Sequence, residues 1–96
     1  ESRGRIIAVS DDEILTMQRR LASHGVWVEP ASSAGLAGLA HEIAAGRFNP
    51  RGQRIVAVCT GHGLKDPDII TRWSTPPRTL PASLQALTDA LLTEAA

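Results

Sequence analysis

The apolar run Ile55-Val56-Ala57-Val58 leads without interruption into Cys59-Thr60-Gly61-His62-Gly63-Leu64-Lys65-Asp66-Pro67, and this junction constrains the chain more than any other stretch. An unbroken series of β-branched and small apolar residues suits a strand buried on both faces of a parallel sheet, because neither face tolerates an alternating polar residue. Ligands of such sheets sit outside the carboxyl ends of the strands. Thr60 is the first hydroxyl at that end. Gly61 and Gly63 lack side chains that would keep a flat ligand from the backbone. The junction therefore reads as a binding site.

Composition narrows the partners. Ten basic and ten acidic residues balance, which argues against capture of nucleic acid or an anionic membrane by charge. A single cysteine cannot form an internal disulfide, and no apolar stretch approaches the roughly 20 residues of a membrane span. A reducing, cytoplasmic setting is expected, and no secretory leader is visible at the amino end. A chain of 96 residues with one Phe, two Trp and no Tyr has a thin core built from Ala, Leu, Gly, Val and Ile.

Arg5-Ile6-Ile7-Ala8-Val9 has strand composition, and Ser10-Asp11-Asp12-Glu13 after it fits a capping box. A helix then carries Ile14, Met17 and Leu21 on one face and stops at Gly25. Val26-Trp27-Val28 is extended in propensity, and Pro30 bars Glu29 from helical dihedrals. Ser32 or Ser33 is expected to cap a second helix running to about Gly46. That helix is small or apolar almost all round, so burial on several sides is expected, with Gly35 and Gly38 admitting close packing. Ile69 to Trp73 fits either a short helix or an extended arm, and residues 74 to 78 read as a linker. Pro81 is expected to open a last helix whose Leu84, Leu87, Leu91 and Leu92 form a docking stripe.

This order of elements predicts an α/β fold with a partial parallel sheet and flanking helices. Three strands, two of them short, cannot cover both an all-round apolar helix and a leucine stripe. The chain thus reads as a segment of a larger lobe, with residues 1–73 in an α/β domain and residues 74–96 forming a linker and terminal docking helix.

Three motifs carry a resemblance. Val9-Ser10-Asp11-Asp12-Glu13-Ile14, Val28-Glu29-Pro30-Ala31-Ser32-Ser33-Ala34 and Thr60-Gly61-His62-Gly63-Leu64-Lys65-Asp66 together resemble the threonine synthases, pyridoxal-phosphate enzymes of the tryptophan synthase β-subunit-like fold, fold type II. The likeness covers roughly residues 5 to 70. The Glu-Pro-Ala-Ser element is shared with threonine and serine dehydratases, whereas the His-Gly-Leu-Lys-Asp continuation departs from the Ser-Gly-Gly-Asn loop usual there. The resemblance implies conversion of O-phospho-L-homoserine and water to L-threonine and phosphate, with pyridoxal 5'-phosphate as electron sink. It also implies that Thr60 hydrogen-bonds the cofactor's pyridine nitrogen, that Gly61 lines the ring pocket and that Glu29 lies near the ring. The family's Schiff-base lysine and phosphate-cradling glycine loop lie nearer the amino end. Lys65, the sole lysine here, does not match that position. The segment is accordingly expected to be carboxyl-terminal and inactive alone. Its expected partners are the amino-terminal remainder of the same enzyme and O-phospho-L-homoserine, with a homodimer as a candidate assembly.

Plainer readings stand beside each of these. Thr60 could bond a neighbouring backbone group, and Glu29 could serve a turn or an arginine. Ser32 and Ser33 could bind phosphate at a helix start or simply cap and pack. His62 could orient its loop or touch ligand. Cys59 and His62 do not make a metal site, since zinc needs about four ligands. Lys65-Asp66 reads as a solvated ion pair. Competing functions are a dehydratase of the same fold and a non-catalytic α/β module binding a ligand at the Thr60 loop.

Overall fold

Ser10 accepts a hydrogen bond from the Glu13 N–H through its Oγ at 3.1 Å, and Glu13 Oε1 accepts from the Ser10 N–H at 3.1 Å. These reciprocal bonds satisfy two otherwise orphaned donors and start α1, Asp11–Ser23. The computed structural model describes residues 2–73 and 75–95. Helix α1 stops as expected, at Gly25 with φ of +82°, and His24 Nδ1 lies 2.9 Å from the Arg20 carbonyl. The second helix, α2, spans Pro30–Ala44, with Gly46 beyond it at φ of +75°. A 3-10 turn covers Gly63–Lys65, followed by α3, Asp68–Trp73, and α4, Leu84–Ala95.

Helix α1 packs on α2, and the polar residues at their contact are unusually buried. Gln18 is wholly buried and donates from Nε2 to the Val28 carbonyl at 2.9 Å. Ser33 is wholly buried too, its hydroxyl directed to the carbonyls of Pro30 at 2.7 Å and Ile14 at 3.0 Å. Val28, Ala37 and Ile69 supply the buried hydrophobic surface. At the far end of α2, Glu42 takes a bidentate bond from Arg47, with Nε to Oε2 at 3.0 Å and Nη2 to Oε1 at 2.9 Å, while Arg5 Nη1 lies 3.1 Å from Oε2.

Several expectations need correction. The parallel sheet is absent among the described residues: Arg5 to Val9 and Ile55 to Val58 carry no strand, and Val26 to Val28 contributes a single antiparallel bridge, Val28 to His62. A strand buried on both faces requires a ladder on each edge and cover on each side. Here Ile6, Val56 and Val58 are exposed. Helix α2 begins at Pro30, so Ser32 and Ser33 lie inside its first turn instead of capping it, and Glu29 occupies the cap position without a side-chain bond to the helix's backbone N–H groups. Proline suits that first position because its missing N–H would be unpaired anyway. Burial of α2 is one-sided, since Gly35, Ile43 and Ala44 are exposed. Gly38 does admit close packing, as a Cβ there would stand 3.0 Å from Ile7 Cδ1, but Gly35 faces open space. The last helix starts at Leu84, not Pro81, because Ser83 caps it by accepting from the Ala86 N–H at 3.1 Å. Its Leu84, Leu87, Leu91 and Leu92 are all exposed. The undecided stretch at Ile69 to Trp73 is helical. Residue 74 of the expected linker lies outside the described residues.

The dimensions agree with this open arrangement. A compact chain of this length has a radius of gyration of about 12–13 Å, whereas this one measures 18.4 Å and extends 63 × 28 × 20 Å.

Acid should loosen the helix pair. The Ser10 N–H and then His41, whose Nδ1 lies 2.8 Å from Oε2, hold the Glu13 carboxyl below its ordinary 4.5. Arg47 does the same for Glu42. A depressed folded-state pKa stabilises fully above the unfolded value and ceases to do so as pH falls through the folded one. Helicity followed by far-ultraviolet circular dichroism should therefore hold steady above about pH 4.5 and fall below it, the reference value being 4.5 for both groups. Glu13→Gln should flatten part of that fall.

Candidate functional site

The chain between the helices brings Trp27-Val28-Glu29 against the Gly61-His62-Gly63 loop through two backbone bonds. The Glu29 N–H donates to the Gly61 carbonyl at 3.0 Å, and the Gly63 N–H donates to the Trp27 carbonyl at 3.2 Å. This short antiparallel contact places the first turn of α2 directly beside Thr60.

Ser32 occupies the centre. Its Oγ accepts from the Gly61 N–H at 2.7 Å, lies 3.3 Å from Thr60 Oγ1 and 3.5 Å from Glu29 Oε1. Ser32 is buried, whereas Thr60 is exposed. Lys65 reaches the same Glu29 oxygen at 3.5 Å, from a side chain that is itself largely in solvent. The structure thus gathers Thr60, Gly61 and Glu29, the three residues that the sequence nominates, around Ser32. Lys65 pairs with Glu29, which displaces the expected pairing with Asp66.

Gly61 and Gly63 are needed for space, since neither has a positive φ. A Cβ on Gly61 would fall on the Glu29 carboxylate, and one on Gly63 would fall on the Trp27 indole. The space that sequence reasoning reserves for a flat ligand is therefore taken by two side chains of this chain. Trp27 is the residue that the reasoning missed: its indole lies against Gly63, and its ring centroid is 5.5 Å from that of His62. The aromatic residue just before the Glu29 turn was the available signal. His62 orients the loop, its Nδ1 accepting from the Leu64 N–H at 3.1 Å. Cys59 is half-buried.

Thr60 is exposed, with its hydroxyl set against Ser32 Oγ. Three grooves of about 520, 380 and 310 Å³ run beside α1 and α2, and Thr60, Gly61 and Glu29 line none of them. A neutral hydroxyl on an exposed residue, backed by a buried serine, is of a kind that can bond a ring nitrogen. The walls that would enclose a ring are not among these neighbours.

Comparison with known proteins places these residues in context. The family model described as pyridoxal-phosphate dependent enzyme matches residues 1–61, ending just past Thr60. A threonine synthase of Halalkalibacterium halodurans is 46% identical over 93 residues, covering 93% of this chain and 25% of that protein. Another, from Methanocaldococcus jannaschii, is 42% identical over 87 residues, covering 90% of this chain and 21% of the relative. A third, from Bacillus sp. (strain ULM1), is 50% identical over 70 residues, 72% of this chain and 20% of its own length. The chain spans about a fifth to a quarter of the length of the curated relatives it matches.

The two loop glycines should differ in tolerance. Gly63→Ala sets a methyl against a rigid indole and should destabilise the protein by about 1–3 kcal/mol, read as a melting temperature lowered by about 4–8 °C per kcal/mol. Gly61→Ala meets the end of a flexible carboxylate, so its drop should be smaller. Equal melting temperatures for the two variants would contradict this packing.

Proposed function

Because the chain belongs to the pyridoxal-phosphate-dependent enzyme family, we propose that it forms the ring-nitrogen side of the cofactor site in a threonine synthase, which converts O-phospho-L-homoserine and water to L-threonine and phosphate. The observation that carries this reading is the 46% identity over 93 residues to a relative of that name. When bound, pyridoxal phosphate supplies an electron sink for elimination of phosphate and addition of water. Every other task in the proposal falls to side chains.

Thr60 meets the pyridine nitrogen through its hydroxyl. A neutral hydroxyl does not hold that nitrogen protonated as a carboxylate would, so the contact orients the ring while moderating its electron demand. Gly61, lacking a side chain, leaves room for the Glu29 carboxylate beside Thr60, and Lys65 pairs with that carboxylate. The pair Glu29 and Lys65 keeps local charge near zero, which suits a neutral contact at the nitrogen. Lys65 is the sole lysine of the chain and is occupied with Glu29, which favours a Schiff-base lysine outside these residues.

The exposed apolar residues support the rest of the proposal. Ile6, Val56 and Val58 belong to runs of strand composition, and we assign these runs to a parallel sheet completed by chain outside the described residues. Residues 1–73 then form part of the cofactor domain, with residues 74–96 a linker and docking helix whose leucines pack elsewhere in the enzyme. The setting is cytoplasmic, and no described helix is long and apolar enough to cross a membrane.

The enzyme carrying this chain, supplied with pyridoxal phosphate, should release inorganic phosphate and L-threonine in equal amounts from O-phospho-L-homoserine. The 96 residues alone should give neither. Thr60→Ala should lower kcat by up to about tenfold, the value of one neutral hydrogen bond, with the cofactor still bound. Unchanged turnover would remove Thr60 from the site, and deamination of threonine without phosphate release would mark a dehydratase.

A further inference from the structure

His62 closes the loop that follows Thr60 and Gly61, and it does so as a hydrogen-bond acceptor. It stands at the cap of the 3-10 turn Gly63–Lys65 in an extended conformation, and its Nδ1 accepts from the Leu64 N–H at 3.1 Å. Capping is ordinarily the work of a side-chain oxygen, on Ser, Thr, Asp or Asn, that keeps its lone pairs near neutral pH. An imidazole in that place accepts only while Nδ1 is bare, so the bond assigns the tautomer: neutral, with the proton on Nε2. The same ring has a second contact of opposite preference. Its centroid is 5.5 Å from that of the Trp27 indole, with the planes tilted by 60°. A ring contact needs no lone pair, and an indole attracts a cation within about 6 Å of its face. Histidine is the side chain that becomes a cation between about pH 8 and pH 5. A second proton turns Nδ1 into a donor that meets the Leu64 N–H donor against donor. We infer that His62 is a pH-dependent cap: neutral, it closes the Gly63–Lys65 turn, and protonated, it gives up the Leu64 bond, stays with Trp27 and lets the turn open.

The opening is local. The Gly61 N–H to Ser32 Oγ, at 2.7 Å, and the Gly63 N–H to the Trp27 carbonyl, at 3.2 Å, involve no titrating nitrogen and hold the loop on both sides of His62. Past them the turn keeps the Lys65 N–H on the His62 carbonyl at 3.0 Å and the Asp66 N–H on the Gly63 carbonyl at 3.3 Å. The charged groups on the segments that meet at His62 are Glu29, from the Trp27 side, and Lys65 and Asp66 in the turn. Glu29 and Lys65 lie 3.5 Å apart and answer each other, and Asp66 is exposed. The lost acceptor is therefore what protonation changes in the turn. Leu64 and Lys65 are released while Thr60 and Gly61 stay where Ser32 holds them.

The enzyme carrying this chain, labelled with nitrogen-15 at histidine, leucine and glycine, is titrated from about pH 8 to about pH 5 and followed by nuclear magnetic resonance. At the alkaline end the His62 ring should show a bare Nδ1 and a protonated Nε2. The Leu64 amide resonance should then move with the same midpoint as the His62 ring. Its protection against exchange, relative to a free peptide at the same pH, should fall by about two- to tenfold, the worth of one neutral hydrogen bond. The Gly61 amide should keep its protection. His62→Asn, whose side-chain carbonyl caps across this range, should hold the Leu64 amide at its alkaline position throughout, and His62→Ala should hold it at the acid one. A Leu64 amide that stays still while His62 titrates, or that moves equally in His62→Asn, overturns the inference, as does a proton on Nδ1 at the alkaline end. These readings come from the loop itself and are separate from the turnover of Thr60→Ala, which tests the proposed reaction.

Discussion

The first turn of α2 ties the helix to everything else the structure holds together, and it does so through oxygen atoms. Ser32 receives the Gly61 N–H, Ser33 reaches back to the Ile14 carbonyl of α1, and the Glu29 N–H engages the Gly61 carbonyl. Beneath them Gln18 grips the Val28 carbonyl from the buried face of α1. A satisfied buried hydrogen bond contributes only about 0.5–1.5 kcal/mol, but leaving one partner unpaired costs about 1–3 kcal/mol. The geometry of the Glu29 turn is thus fixed less by attraction than by the penalty for any other arrangement. Gln18 adds to that tension, because its Oε1 has no partner among the described residues.

This polar centre explains how so thin a hydrophobic core can specify a loop. Val28, Ala37 and Ile69 bury little area, at roughly 25 cal/mol for each Å² removed from water. Leucine, isoleucine and valine side chains that would ordinarily supply the remainder stand exposed on the runs around Ile6 and Val56 and along α4. Their exposure leaves the hydrogen bonds around α2, rather than apolar packing, to hold the Thr60 loop.

Local chemistry was readable from the residues, and long-range pairing was not. The capping box at Ser10 and Glu13 and the stop at Gly25 depend on atoms within a few residues, so composition and spacing suffice to place them. Pro30 holds Glu29 extended, as its chemistry implies, and itself opens α2 at the position where proline costs least. The strands do not form among the described residues for a different reason. An apolar run records that both its faces want cover, but cover comes from other segments, and no spacing within Ile55 to Val58 says whether these are present. For the site, the residues nominated Thr60 and Gly61 and the family resemblance added Glu29, three residues that lie together, while Ser32 was read as a cap or a phosphate ligand. That Ser32 instead joins all three follows from a bridge between residues some thirty positions apart.

Glu29 and Lys65 also bear on how the hydroxyls of this turn are ordered. Lys65 sits 3.5 Å from the Glu29 oxygen, a pair that water screens because the lysine side chain is largely exposed. With its one proton directed to Glu29 Oε1, Ser32 Oγ is left to accept from the Thr60 hydroxyl as well as from the Gly61 N–H. The glycine at position 61 is what permits the arrangement, since a side chain there would push the carboxylate away from both Ser32 and Lys65.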